Sequence, residues 1–331
     1  MSDYYGLYGQ KVQYLASDPT DVQIGQVWYN STSAVLKVRA FTAASWASGG
    51  NLNTATGAQG SGGTQTSAIK FGGRAGDPSP RQTNATEKYD GTSWTSVTSM
   101  GTARYGLAGF GSQTAAIGAG GYINPGFQIV SDVESYNGSS WSPVTSLGTG
   151  RYRLTGLGTQ TAGMVAGGNA GPGAQSAVEL YNGSSWTAGG SLNTARSTLA
   201  SSGSGTQTAA IVFGGSSSPA AATESYNGTS WTTVNSLNTG RDNLGGAGTQ
   251  TAALAFGGNV PPRTGATELW NGTSWTSSPI GLNTVRSCLG SGAGTQTSAL
   301  CNGGNTGAPT SSTSTEEFTG AATSTKTVTV T

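Results

Sequence analysis

Histidine is absent from the 331 residues. That removes Ser-His-Asp and Cys-His nucleophile systems, His-ligated zinc and the commonest general base near neutral pH. Cysteine occurs twice, at Cys288 and Cys301, so disulfides cannot be the main framework. The two flank one expected hairpin, either bridged across it or as two buried thiols. Charged residues make up 9% of the chain, against about 25% in a typical soluble protein. With 15 basic and 14 acidic residues, a net charge of +1 and no basic run, the electrostatic footprint of a nucleic-acid binder is missing. No apolar stretch approaches the roughly 20 residues of a transmembrane helix. The opening MSDYYGLYGQKVQYL has neither the basic nor the long apolar region of a secretory signal. These absences lead us to expect no nucleic acid, no membrane insertion, no metal and no cofactor, in a protein that is intracellular or released other than by secretion.

What is present is repetition. YNGTSW at residues 226 to 231 returns as YDGTSW, YNGSSW twice and WNGTSW. Aligned on tryptophan, the copies place Trp46, Trp94, Trp141, Trp186, Trp231 and Trp275 at spacings of 48, 47, 45, 45 and 44 residues, a propeller-like period. A second marker, G-[TS]-Q-T, sets Gln65, Gln113, Gln160, Gln207, Gln250 and Gln296 in step. Eight residues after each comes the second glycine of a Gly-Gly pair. Glycines at fixed places, with regularly spaced aromatics, argue for a fold rather than for disorder.

Each copy carries a short strand such as TAALAFGG, whose small residues suit a crowded place near an axis. A hairpin follows, its Asn-Gly or Asp-Gly suggesting a type I′ turn. Period-two alternation then puts Glu224, Tyr226, Thr229 and Trp231 on one face. Such an aromatic face needs covering, and the neighbouring copy can cover it around a ring. Four strands per copy and six copies predict an all-β, six-bladed β-propeller.

The Gly-Gly pair, an acidic residue, a Tyr and a Trp five residues later resemble the Kelch family. Arg104, Arg151, Arg196, Arg241 and Arg286, ten or eleven residues past the Trp, complete the likeness, which spans roughly 37 to 320. Thr56 replaces the arginine in the first copy, and Thr323 stands where a last Trp would fall. These departures leave the closing strand undetermined and a seven-bladed count open.

Glu87, Glu134, Glu179 and Glu224 precede the repeat arginines by 17 residues and Glu268 by 18. Structural pairing of buried charges explains them better than an anion-capturing ring. The Asn-x-Ser/Thr sequons at Asn137, Asn182, Asn227 and Asn271 read as turn chemistry, since Asp90 fills the same place without one. Length varies between the Gly-Gly pair and the next Glu, with 13, 12, 10, 8, 9 and 11 intervening residues. These second-to-third strand loops hold Arg74, Asp77, Arg81, Tyr122, Phe127 and Arg263, the candidate binding residues on one rim.

The first 35 residues fall outside the period and form an expected attachment segment, with the propeller over 36–331. DPTDVQIGQVWYNSTSAVLKV is similar to the entry segment of bacteriophage tail-fibre and other virion proteins, and SWASGGNLNTATG with GTQTSAIKFGG is similar to Kelch-like proteins of marine phages. The resemblance implies a non-enzymatic virion structural protein, an adhesin that meets a host-surface glycan or protein, or a particle decoration. It would bind other virion proteins through its N-terminal segment, with homo-oligomerisation open. Two alternatives remain: an intracellular interaction propeller, and a glycan-active enzyme with Asp77, Asp132 or Asp242 as its carboxylates. Kelch propellers resembling galactose oxidase hold copper with histidines and tyrosines, and this chain has no histidine.

Overall fold

The computed structural model describes residues 12–76, 82–216, 220–287, 292–307 and 311–328. All of the regular structure among them is strand. Two compact units share the chain: one lies within 1–45 and 319–331, the other is 46–318. The division thus falls after Ser45 rather than after residue 35, and the first unit also takes the C-terminal strand.

In that first unit Gln13–Leu15, Val27–Asn30, Val35–Thr42 and Ala322–Thr327 form one four-stranded sheet. The long pairing of Val35–Thr42 with the C-terminal strand ties together the two ends of the described chain. Thr323 therefore belongs to this sheet, where no repeat Trp is called for. Trp28 is buried, and its indole donates to Asp18 at 3.0 Å. Asp18 also accepts from Asn30 at 2.7 Å and pairs with Lys37 at 2.7 Å.

Among the described residues the larger unit contains six four-stranded sheets, consistent with a β-propeller. Sheet 1 is Gly60–Thr64, Ser67–Phe71, Thr86–Tyr89 and Trp94–Val97. Sheet 2 is Ala108–Gly111, Ala116–Ala119, Val133–Tyr136 and Trp141–Val144. Sheet 3 is Thr155–Thr159, Ala162–Ala166, Val178–Tyr181 and Trp186–Ala188. Sheet 4 is Ala200–Ser201, Ala210–Phe213, Thr223–Tyr226 and Trp231–Val234. Sheet 5 is Gly245–Gly248, Ala253–Phe256, Thr267–Trp270 and Trp275–Ser277. Sheet 6 takes Ala293–Gly294, Ser298–Asn302 and Thr315–Thr319 from the end of the chain, and its outer strand, Ser45–Ser48, from near the beginning. The strand left open by the sequence is thus the one that carries Trp46.

Burial between successive sheets explains the repeated aromatics. Each repeat Trp stacks obliquely on an aromatic at or next to the end of its own third strand, as Trp231 does on Tyr226 at 4.8 Å. Four also receive the edge or flank of a phenylalanine from the preceding sheet: Phe71 on Trp141, Phe110 on Trp186, Phe213 on Trp275 and Phe256 on Trp46. A buried indole N–H needs an acceptor, and threonine on the preceding sheet supplies one. Trp141 donates to Thr86, Trp275 to Thr223, Trp46 to Thr267 and Trp94 to Thr315, at 2.9–3.1 Å. The last of these runs from sheet 1 to sheet 6. The repeat glutamines do the same work: Gln113 donates to Tyr89 O on the preceding sheet, and Gln65 to Phe318 O on sheet 6.

First strands of neighbouring sheets touch, including those of sheets 6 and 1, and their closeness is why they are rich in glycine. A Cβ on Gly109 would stand 2.3 Å from Ser61 N, and one on Gly292 would stand 1.8 Å from Gly246 O. The second strands, including TAALAFGG, are buried over most of their length, one place further out than the crowding argument put them.

The hairpin turn differs from the expected type I′. Tyr226 pairs with Trp231, so the connection is the four-residue loop Asn227–Ser230. Gly228 takes φ +98°, whereas Asn227 does not enter the left-handed region. The asparagine is there for its side-chain oxygen, which accepts from Thr229 N at 3.0 Å and Ser230 N at 2.9 Å. Asp90 does the same with Thr92 N and Ser93 N, both at 2.8 Å, so Asp and Asn are interchangeable here. Thr229 consequently sits exposed in the loop, off the buried face that holds Glu224, Tyr226 and Trp231.

Candidate functional site

The repeat charges face inward. Arg104, Arg151, Arg196, Arg241 and Arg286 are fully buried and pair with Glu134, Glu179, Glu224, Glu268 and Glu316. Each arginine thus meets the glutamate that follows it, rather than the one 17 or 18 residues before. The reason is topological: the arginine lies in the connection entering a sheet, and that sheet's own third strand carries the partner. Glu134 also accepts from Gly101 N at 2.6 Å, while Arg104 donates to Asp132 O at 3.0 Å and Gly118 O at 3.1 Å. The ion pair therefore clamps the incoming connection to its sheet. Burial pulls the Arg104, Arg151 and Arg196 guanidiniums below their ordinary pKa, and the facing glutamates oppose the shift.

Sheet 1 departs from this scheme. Thr56 stands in the arginine's place, and Glu87 holds the incoming connection through Asn53 N at 2.7 Å and Thr54 N at 3.0 Å. Its cation is Lys70, on the neighbouring strand at 3.1 Å, with both side chains 0% exposed. The positions that face the glutamate in sheets 2 to 5 are Gly118, Val165, Val212 and Ala255. Lys70 is thus a substitute for the missing arginine, reaching the carboxylate from across the strand pair. Burial lowers its pKa, against the pull of Glu87.

Besides a recess of about 440 Å³ beside Glu179 and Trp186, two others lie among the sheets. The first, about 400 Å³, is lined by the first strands of all six. Its lining mixes glycines and hydroxyl side chains, Ser61, Thr155 and Ser204 among them, with apolar ones such as Leu107, Phe110 and Leu154, and holds no ionisable group. The second, a more open cleft of about 770 Å³, lies beside sheets 4 and 5 and includes Asp242, Asn259 and Arg263. It holds a single carboxylate, and Asp132 is not among its lining residues. Among the described residues no three of His, Cys, Asp and Glu cluster as a metal site would require.

The other candidate loop residues gather elsewhere. Tyr122 begins a two-stranded hairpin, Tyr122–Ile123 with Gln128–Ile129, and Phe127 at its tip is 82% exposed. Around Tyr122 the rings of Tyr105, Tyr152 and Phe127 lie at centroid distances of 5.2, 5.3 and 6.3 Å. Arg153 sits over the Tyr152 ring at 5.3 Å. Burial raises the pKa of the Tyr105 hydroxyl, as does neighbouring Tyr122, while Arg74 and Arg153 pull it down. The Gln82 amide donates to Asn124 O, joining the Arg74 loop to the hairpin. Arg74, Tyr122 and Phe127 thus share one patch, whereas Arg263 belongs to the separate cleft. Asp77, Arg81 and Cys288 lie outside the described residues; Cys301 is buried in sheet 6.

Tyr105, Tyr152 and Arg153 were missed because attention to loop length points away from them. The residue after each repeat arginine reads Gly57 (after Thr56), Tyr105, Tyr152, Ser197, Asp242 and Ser287, so this position varies in chemistry while its loop keeps its length. The next position takes positive φ at Ala58, Gly106, Arg153, Thr198 and Asn243. The backbone there is a fixed feature of the repeat, and the guanidinium of Arg153 is not something the turn demands.

No protein-family model matches the chain, and no curated protein matches it. Among solved structures the chain is similar to one titled "Structure of YjhT", a β-propeller-like protein. The TM-score is 0.68 at 14% identity, covering 83% of this chain and 99% of that one. At that identity the likeness is one of fold.

Proposed function

We propose that the larger unit is a closed, six-bladed, Kelch-like propeller and that the chain is a non-enzymatic bacteriophage virion protein, displaying the propeller for host-surface recognition or particle decoration. Six sheets, with an early strand completing the last and indole and glutamine bonds linking sheet 1 to sheet 6, support the blade count. The repeat of Gly-Gly, Glu, Tyr, Trp and Arg supports the Kelch likeness. The first 35 residues, whose DPTDVQIGQVWYNSTSAVLKV stretch resembles phage entry segments, are read as the attachment side.

One observation carries the recognition reading. The repeat glutamates and arginines are consumed in buried clamps, whereas exposed aromatic and cationic groups collect on variable positions around Tyr122. A rigid scaffold with its unusual chemistry on loops is how binding surfaces are commonly built. The test is peptide mass spectrometry of density-purified particles, followed by immunogold labelling with antibody to the propeller. Stoichiometric recovery in intact particles with surface labelling is expected. Recovery only in the soluble lysate would overturn the virion assignment.

A further inference from the structure

The ring cluster at Tyr122 has a chemistry that narrows what it can hold. Tyr105 and Tyr152, from two inter-sheet connections, both pack their rings against Tyr122 of the hairpin, and Phe127 extends the apolar surface from it. Tyr105, Tyr122 and Tyr152 are each part-exposed, and Arg74 and Arg153 are exposed. Neither arginine has a carboxylate in ion-pair range among the described residues, although both act electrostatically on the Tyr105 hydroxyl. The cluster therefore combines aromatic faces, phenol hydroxyls and two guanidiniums with no carboxylate partner among the described residues.

Each component selects. Aromatic faces suit the C–H-lined, partly apolar face of a sugar ring. A guanidinium fork matches a carboxylate in a two-point geometry, and a phenol can donate to or accept from a hydroxyl. A hexuronic acid presents all three partners on one ring. A nucleobase would also stack, but a net charge of +1 gives no basic track for the phosphates that must accompany it.

We propose that the patch formed by Tyr105, Tyr122, Tyr152, Phe127, Arg74 and Arg153 binds a uronic-acid unit of an acidic polysaccharide, its ring against the tyrosines and its carboxylate on the guanidiniums. The inference rests on the recognition reading above and names its ligand class. Tetragalacturonate, its methyl ester, a sulfated dextran tetrasaccharide and an oligothymidylate are titrated into the full chain by calorimetry. The free acid binds, and the ester, which keeps the ring and loses the charge, binds at least about tenfold more weakly, equivalent to about 1.4 kcal/mol. Arg153→Ala and Tyr122→Ala each weaken the acid about tenfold or more, with unchanged melting temperature and circular dichroism.

No binding of the acid, equal binding of the ester, or unaltered affinity in both folded variants would overturn the proposal. Tighter binding of the sulfated sugar would replace it with a general anion site, and tighter binding of oligothymidylate with a nucleic-acid site. These outcomes are separable from those of the particle experiment. A chain found in particles that ignores tetragalacturonate loses only the ligand assignment, and a chain absent from particles that binds it loses only the virion assignment.

Discussion

Replacing Lys70 by valine, the residue found at the same place in sheets 3 and 4, is the sharpest test of how the sheets are held to their connections. Lys70 and Glu87 are both 0% exposed and 3.1 Å apart. The substitution leaves Glu87 buried with two backbone N–H donors and no cation. Breaking one side of a buried pair costs about 3–5 kcal/mol. An unfolding entropy of about 2.1 cal/mol/K per residue gives roughly 0.7 kcal/mol/K for a chain of this size. The expected drop in melting temperature is therefore about 4–7 °C, read by differential scanning calorimetry at a fixed scan rate. Lys70→Val/Glu87→Gln removes both charges and keeps an acceptor for Asn53 N and Thr54 N, so it should melt above Lys70→Val alone. In a Lys70→Val background, Thr56→Arg supplies the repeat's own cation and should also raise the melting point. A Lys70→Val variant within about 1 °C of the parent, or a double-neutral variant less stable than the single one, would refute the clamp.

Three further outcomes follow from named contacts. Trp94→Phe strands the Thr315 hydroxyl that receives its indole at 2.9 Å between sheets 1 and 6, and should cost about 1–3 kcal/mol by urea unfolding; no loss would argue against that junction. Gly109→Ala forces a Cβ to 2.3 Å from Ser61 N and should cost at least about 1–3 kcal/mol, whereas Gly76→Ala, with open space around it, should be near neutral in the same melts. Asp18 is held down to about 2, from 3.8, chiefly by the hydrogen bond from Lys37 and then by those from Asn30 and Trp28. Its folded pKa is depressed, so its contribution is full above the unfolded value and lost as pH falls from about 4 through about 2. The Trp28 indole N–H resonance should shift over that window in the parent and stay flat in Asp18→Asn.

Particular residues show how far the sequence could be read. Trp46, Trp94, Trp141, Trp186, Trp231 and Trp275 announced the period, because an aromatic face must be covered and only a neighbour of the same kind recurs to cover it. The Asn-Gly loops were located correctly and mistyped, since Asn serves both as a left-handed turn residue and as a side-chain acceptor, and the letters do not say which. Arg74, Tyr122 and Phe127 were visible as oddities in loops of varying length. Tyr105, Tyr152 and Arg153 sat in loops of constant length, where only comparison of the position after each repeat arginine would expose them.

The sequence by itself determined the all-β repeat, the six aromatic hairpins and the buried status of the glutamates and arginines, because these follow from local periodicity and from the cost of exposing aromatic faces or burying lone charges. Tertiary structure decided the rest: that each arginine clamps the next glutamate, that Lys70 stands in for an arginine lost at Thr56, that Ser45–Ser48 completes sheet 6, and that tyrosines 17 to 47 positions apart meet around Tyr122. Those choices depend on which strands and connections lie side by side in the folded chain, which no stretch read on its own reveals.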